Sequence, residues 1–131
     1  MLPWTLFELV PPGETKGVVS VWKDGVAKKV WTTFQTRWRD MRKVHQAQWP
    51  PTWATPVVGY SGILEMRLKV SQHQYRPLFI FGPPRASIIF VFMADEVGDE
   101  FVPKDAPDRA QAIRTEIIEG RSKFEELDND Q

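Results

Sequence analysis

Hydrophobic and polar positions alternate most clearly between residues 62 and 92. Leu64, Met66, Leu68 and Val70 interleave with Glu65, Arg67 and Lys69, the period-two pattern of a half-buried strand. The polar residues 71–74 separate this run from a second, 75–81, and the Gly-Pro-Pro-Arg-Ala segment 82–86 separates that from a third, 87–93. Three strands in an antiparallel meander are predicted. With all four polar residues in the first loop, Val70 faces Tyr75 and Lys69 faces Arg76, with Arg67 on the same face. Like charges opposed across a ladder destabilise it unless an anion lies between them, so this face is expected to hold one, such as a phosphate.

Around the meander the pattern changes. Residues 4–10 predict an opening strand ended by Pro11-Pro12-Gly13. Residues 17–30 admit two readings: a hairpin turning at Asp24-Gly25, or a lead directly into a helix. Trp31, Phe34, Trp38 and Met41 then recur at helical spacing while Arg37, Arg39, Arg42 and Lys43 take other angles. This predicts an amphipathic helix running to about Gln48, where Trp49-Pro50-Pro51 stops it. Residues 49–60 read as a proline- and aromatic-rich loop, and 95–103 as an acidic connection. A last helix is predicted from Asp105 as N-cap with Pro107 in its first turn. Its apolar stripe is Ala110, Ile113, Ile117 and Phe124, with Gly120 a weak point or an end. Residues 125–131 are expected to fray. No repeat or long linker divides the chain, so 1–131 reads as one domain.

Composition adds bounds. The 131 residues are 42% apolar and 12% aromatic, without cysteine; this excludes disulfides, thiolate zinc sites and a cysteine nucleophile. The longest apolar run, 88–94, is strand-sized, so no membrane span is expected. The start of the chain lacks a basic segment and a cleavage site, so no secretory signal is expected and a cytoplasmic protein fits. Net charge is zero, yet residues 1–94 carry 12 Lys+Arg against 5 Asp+Glu (+7), and residues 95–131 carry 5 against 12 (−7). A basic body suits nucleic acid or an acidic partner. The two histidines, His45 and His73, have no carboxylates at ligand spacing, so no metal site is expected; no cofactor is expected either.

The motif Gly62-x-x-Glu65-x-Arg67, then Tyr75-Arg76, then the apolar strand ending at Phe92, followed by a helix carrying Ala110 and Arg114, resembles the RelE/ParE superfamily of type II toxins. The HigB-like, phage-derived branch is the nearest in pattern. The resemblance implies an α+β fold: a small twisted, mainly antiparallel sheet, with the N-terminal helical region and the C-terminal helix on one face and a basic groove on the other. It also implies the toxin of a toxin–antitoxin pair, a metal-independent endoribonuclease cutting mRNA, often on the ribosome, and inhibited by a cognate helix-turn-helix antitoxin. The alternative is a catalytically silent member that works by binding, as a ParE-like topoisomerase inhibitor or a phage regulatory or interaction protein. Relatives in this branch follow the third strand with two lysines; here Phe92 is followed by Met93-Ala94-Asp95-Glu96.

For cleavage, a 2′-hydroxyl must lose its proton and a cation must stabilise charge on the attacked phosphate. Under the resemblance, Arg67 and Arg76 bind the phosphate, guanidinium being permanently charged and bidentate. Lys69 binds phosphate or acts as base, and His73, in the expected loop, is an acid or base. Phe92, expected roughly across from Arg76, stacks a nucleobase; Arg85 and Glu65 complete the RNA-binding set. The plainer readings are solvated strand residues for the arginines, an ordinary surface lysine and loop histidine, a Glu65–Lys69 ion pair, and Phe92 packed on Leu78 and Ile80. The basic run 37–43 reads as a solvated helix face, with phosphate contact as the sharper alternative, and the tryptophans as core.

Overall fold

The computed structural model describes residues 4–83 and 86–127. The chain folds as α+β, with three helices and a mixed, mostly antiparallel open sheet. β1 (Thr5–Val10) leads into α1 (Val18–Gly25) and α2 (Lys28–Met41), then a 3₁₀ turn at Gln46–Gln48 and a short edge strand, β2 (Ala54–Pro56). Next come β3 (Leu64–Met66), β4 (Leu68–Val70), β5 (His73–Gly82), β6 (Ser87–Val97) and β7 (Glu100–Val102), then α3 (Ala106–Ile118) and β8 (Lys123–Glu126). The strand order is β2-β3-β5-β6-β1-β8, with β4 continuing β3 along β5 and β7 pairing with β6. Among the described residues only β1 and β6 run parallel.

Helices cover both faces of this sheet, which corrects the expected one-sided arrangement. Ile88 and Phe90 of β6 pack with Phe34, Trp38 and Met41 of α2 on one face. Ile89 and Val91 pack with Ala106, Ala110 and Ile117 of α3 on the other. The physical reason lies in residues 88–91, four fully buried apolar residues without alternation, the composition of a strand with two dry faces.

The ambiguous segment after β1 is helical, and Asp24-Gly25 falls at the end of α1 instead of in a hairpin. Glu8 anchors that helix. Its buried carboxylate accepts hydrogen bonds from the Ser20 amide at 2.9 Å and the Ser20 hydroxyl at 2.7 Å, satisfying a free first-turn N–H from outside the helix. Gly17, the N-cap, is needed because a Cβ there would lie 2.1 Å from the Glu8 carboxyl carbon. α2 ends at Met41, short of Gln48: the Trp49 indole N–H bonds the Met41 carbonyl at 2.9 Å, and Trp4 bonds the Val44 carbonyl at 2.9 Å. The two tryptophans thus take up carbonyls that would otherwise continue the helix.

Two more expectations change. Residues 95–103 are mostly strand: β6 runs on through Asp95 and Glu96, turns at Gly98-Asp99, and folds back as β7. The expected frayed tail is paired as far as Glu126: β8 pairs antiparallel with β1, Phe124 packs edge-on against Phe7 at 5.4 Å, and Leu127 donates to the Leu6 carbonyl. Phe124 therefore belongs to β8 and not to the last helix. β1 is otherwise an edge with apolar side chains on it, and covering it buries them. Residues 128–131 lie outside the described residues.

Candidate functional site

The candidate residues sit where the meander strand is interrupted. Between β3 and β4 the Arg67 amide turns aside to the Trp53 carbonyl at 2.8 Å, and the Arg67 carbonyl accepts a hydrogen bond from Arg37 Nη1 of α2. The same Nη1 donates to the Thr52 carbonyl at 3.0 Å. Arg37 therefore ties helix, loop and sheet edge together, and is half-buried rather than a solvated helix residue.

The first loop is two residues long, not four. Ser71 and Gln72 take positive φ, 51° and 70°, the pattern of a tight two-residue hairpin turn. The register becomes Val70↔His73, Lys69↔Gln74 and Leu68↔Tyr75, so Lys69 faces Gln74 and His73 belongs to β5. Alternation along β5 then sends Gln74 and Arg76 to one face and His73 and Tyr75 to the other. His73 lies 3.5 Å from Asp95 with its ring 4.3 Å from that of Tyr75, which meets Trp22 of α1. The structure brings Arg67, Lys69, Arg76 and Glu65 together and leaves His73 out.

Arg76 is buried, its side chain 3% exposed. Nε donates to Glu96 at 2.9 Å, Nη1 to the carbonyls of Tyr75 at 2.9 Å and Leu68 at 3.4 Å, and Nη2 to the Gln74 amide oxygen. Opposite it on β6 stands Ala94, small enough to leave the guanidinium room. Glu96, two residues further, is the counter-ion that makes its burial tolerable. The stretch after Phe92, which lacks the lysine pair, thus neutralises a cation. Glu65 joins at the edge, 3.4 Å from Arg67 Nη1 and 4.0 Å from Arg76 Nε. Burial raises the Glu65 pKa above the usual carboxylate value, opposed by Arg67 and Arg76 and reinforced by Glu96. Burial likewise lowers the Arg37 pKa, with Asp40 opposing.

Phe92 faces Leu78, not Arg76, and the Arg109 guanidinium of α3 lies 5.7 Å from its ring centre. Arg85 lies outside the described residues. Gly62 has a local cause: its φ is +83°, and a Cβ there would lie 2.5 Å from Arg114 Nε.

Two clefts flank Arg67. One, of about 280 Å³, is walled by Arg37, Thr52, Arg67, Lys69, Gln74 and Arg76, and among the described residues no carboxylate lines it. The other, of about 340 Å³, holds Glu65, Glu96 and Asp99 beside Phe101 and the β2 edge. Gln74 and the pairing of Glu96 escaped sequence reasoning because they depend on the shortened loop and its register. Among the described residues no group of three His, Asp or Glu is set to hold a metal, and no helix is long and apolar enough to cross a membrane.

No family model, curated protein or solved structure matches this chain. Its function therefore rests on the geometry above.

Proposed function

We propose that this chain is a RelE/ParE-like protein that acts by binding a partner and does not cut RNA. The reading is supported by the order strand, two helices, meander and helix, together with the Gly62–Glu65–Arg67 and Tyr75-Arg76 motifs. The observation that carries its silent half is the engagement of Arg76. A guanidinium with four hydrogen bonds inside the protein, one of them to a carboxylate, has little left for a scissile phosphate. His73, on the opposite face, cannot act as acid or base beside it. A cytoplasmic site of action and a protein partner, such as a helix-turn-helix antitoxin or a topoisomerase, belong to this reading.

The test is induction of the protein alone, with messenger RNA followed by primer extension. Intact transcripts are expected, and a DNA-damage response alongside them marks a topoisomerase as the target. One observation favours the ribonuclease reading: Arg67 and Lys69 still line one cationic cleft. Shortened transcripts that lengthen again in Lys69→Ala would establish that reading instead.

A further inference from the structure

We infer that the cleft walled by Arg37, Thr52, Arg67, Lys69, Gln74 and Arg76 binds a phosphate monoester. The inference goes beyond the proposed function, because it concerns a terminal phosphate and holds whether or not the chain takes a RelE/ParE-like role.

Charge selects the ligand. Four cations converge on the cleft, Arg37, Arg67, Lys69 and Arg76. Among the described residues the carboxylates within ion-pair distance of them are Glu65 and Glu96, which line the neighbouring cleft together with Asp99. Counting only these directly paired carboxylates, four positive charges against two negative leave a formal +2. Asp40 acts on Arg37 along α2 but forms no ion pair with it within 4.0 Å among the described residues. A phosphate monoester carries about −1.5 to −2 near neutral pH, whereas an internal phosphodiester carries only one charge. The dianion is the better counterpart.

The donors agree. Arg37 spends Nη1 on two carbonyls, and its Nε and Nη2 hydrogens have no protein acceptor among the described residues. Lys69 is exposed and makes no ion pair among them. The Gln74 amide oxygen is occupied by Arg76, which leaves its NH2 group to donate. Arg76, 2% exposed, adds charge from the floor of the cleft. Guanidinium, ammonium and amide groups therefore surround a space that no carboxylate lines among the described residues, the arrangement suited to phosphate oxygens.

Calorimetric titration with inorganic phosphate, adenosine 5′-monophosphate and O-phosphoserine tests this, with the dinucleoside monophosphate ApA, which has only an internal diester, as control. Binding of the monoesters is expected, weakening from roughly pH 7.5 to 5.5 as the second phosphate proton returns. Arg37→Gln and Lys69→Gln are each expected to weaken it by roughly tenfold. Lys69→Gln alters an exposed side chain, so its result stands even if Arg37→Gln disturbs the fold. Tighter binding of either monoester than of inorganic phosphate supports the site and names its carrier. Absence of binding into the millimolar range, equal binding of ApA, or unchanged affinity in Lys69→Gln overturns it. None of these outcomes depends on transcript integrity, so this inference and the proposed function fail separately.

Discussion

Arg76 and Glu96 form a buried ion pair across β5 and β6, Nε to Oε1 at 2.9 Å, with side chains 3% and 14% exposed. Such a pair is costly to break, because the surviving charge keeps its desolvation penalty and loses its partner. Arg76→Ala is expected to lower unfolding free energy by about 3–5 kcal/mol. The double change Arg76→Met with Glu96→Leu is expected to lose much less. Urea titrations of the three proteins decide this; a fully stable Arg76→Ala protein would return Arg76 to the role of a free ligand.

Glu65 predicts a pH dependence. Its pKa is raised in the folded state by burial, so the unfolded chain gives up this proton first. At low pH both states are protonated and the group costs nothing. The cost begins as pH rises through the unfolded value and is complete above the folded one. Glu65→Gln is therefore expected to gain stability relative to the parent on passing from acid to neutral pH. Paired urea midpoints at the two pH values test it, and a Gln variant that loses ground toward neutral pH would contradict it.

The contact between Gly17 and Glu8 predicts non-additivity. Gly17→Ala forces a Cβ into the carboxyl group and is expected to cost roughly 1–3 kcal/mol, as overpacking does. Made in a Glu8→Ala background, the same change meets no obstacle and should cost almost nothing. A thermodynamic cycle with equal costs in both backgrounds would show that α1 is not held by this carboxylate.

Ser71 and Gln72 are held in the left-handed region, which non-glycine residues adopt at a cost of roughly 1–2 kcal/mol each. Replacing them with Asn-Gly keeps the turn and removes much of that cost. Thermal unfolding is expected to move upward by roughly 1 kcal/mol equivalent. A drop would mean that the loop is longer than two residues.

Much of the fold was legible where one face decides the pattern. β1, the Trp31–Phe34–Trp38–Met41 stripe, the three runs of the meander and the Asp105 start of α3 all read correctly from spacing. What was hidden depended on distant partners. Lys123-Phe124-Glu125-Glu126 has one inward residue and is a strand only because β1 offers an edge. Asp95 and Glu96 read as an acidic loop until Arg76 supplies a counter-ion to Glu96 and His73 stands beside Asp95. The unalternating run 88–91 did carry the signal for a sheet covered on both sides. At the site, face alternation grouped Glu65, Arg67 and Lys69 correctly, but the two-residue turn shifted the register and moved His73 to the opposite face.

Because β1 lies between β6 and β8, the first of the described strands is completed last. During vectorial synthesis Leu6, Phe7 and Leu9 emerge long before Ser87–Phe90 exist to pair with them, and the outer flank stays bare until Lys123–Glu126 has been added. Closing such distant segments is slow and leaves an apolar strand exposed meanwhile. A chain stopped at Gly120 would carry an uncovered strand on its margin, the place where Lys123–Glu126 otherwise pairs.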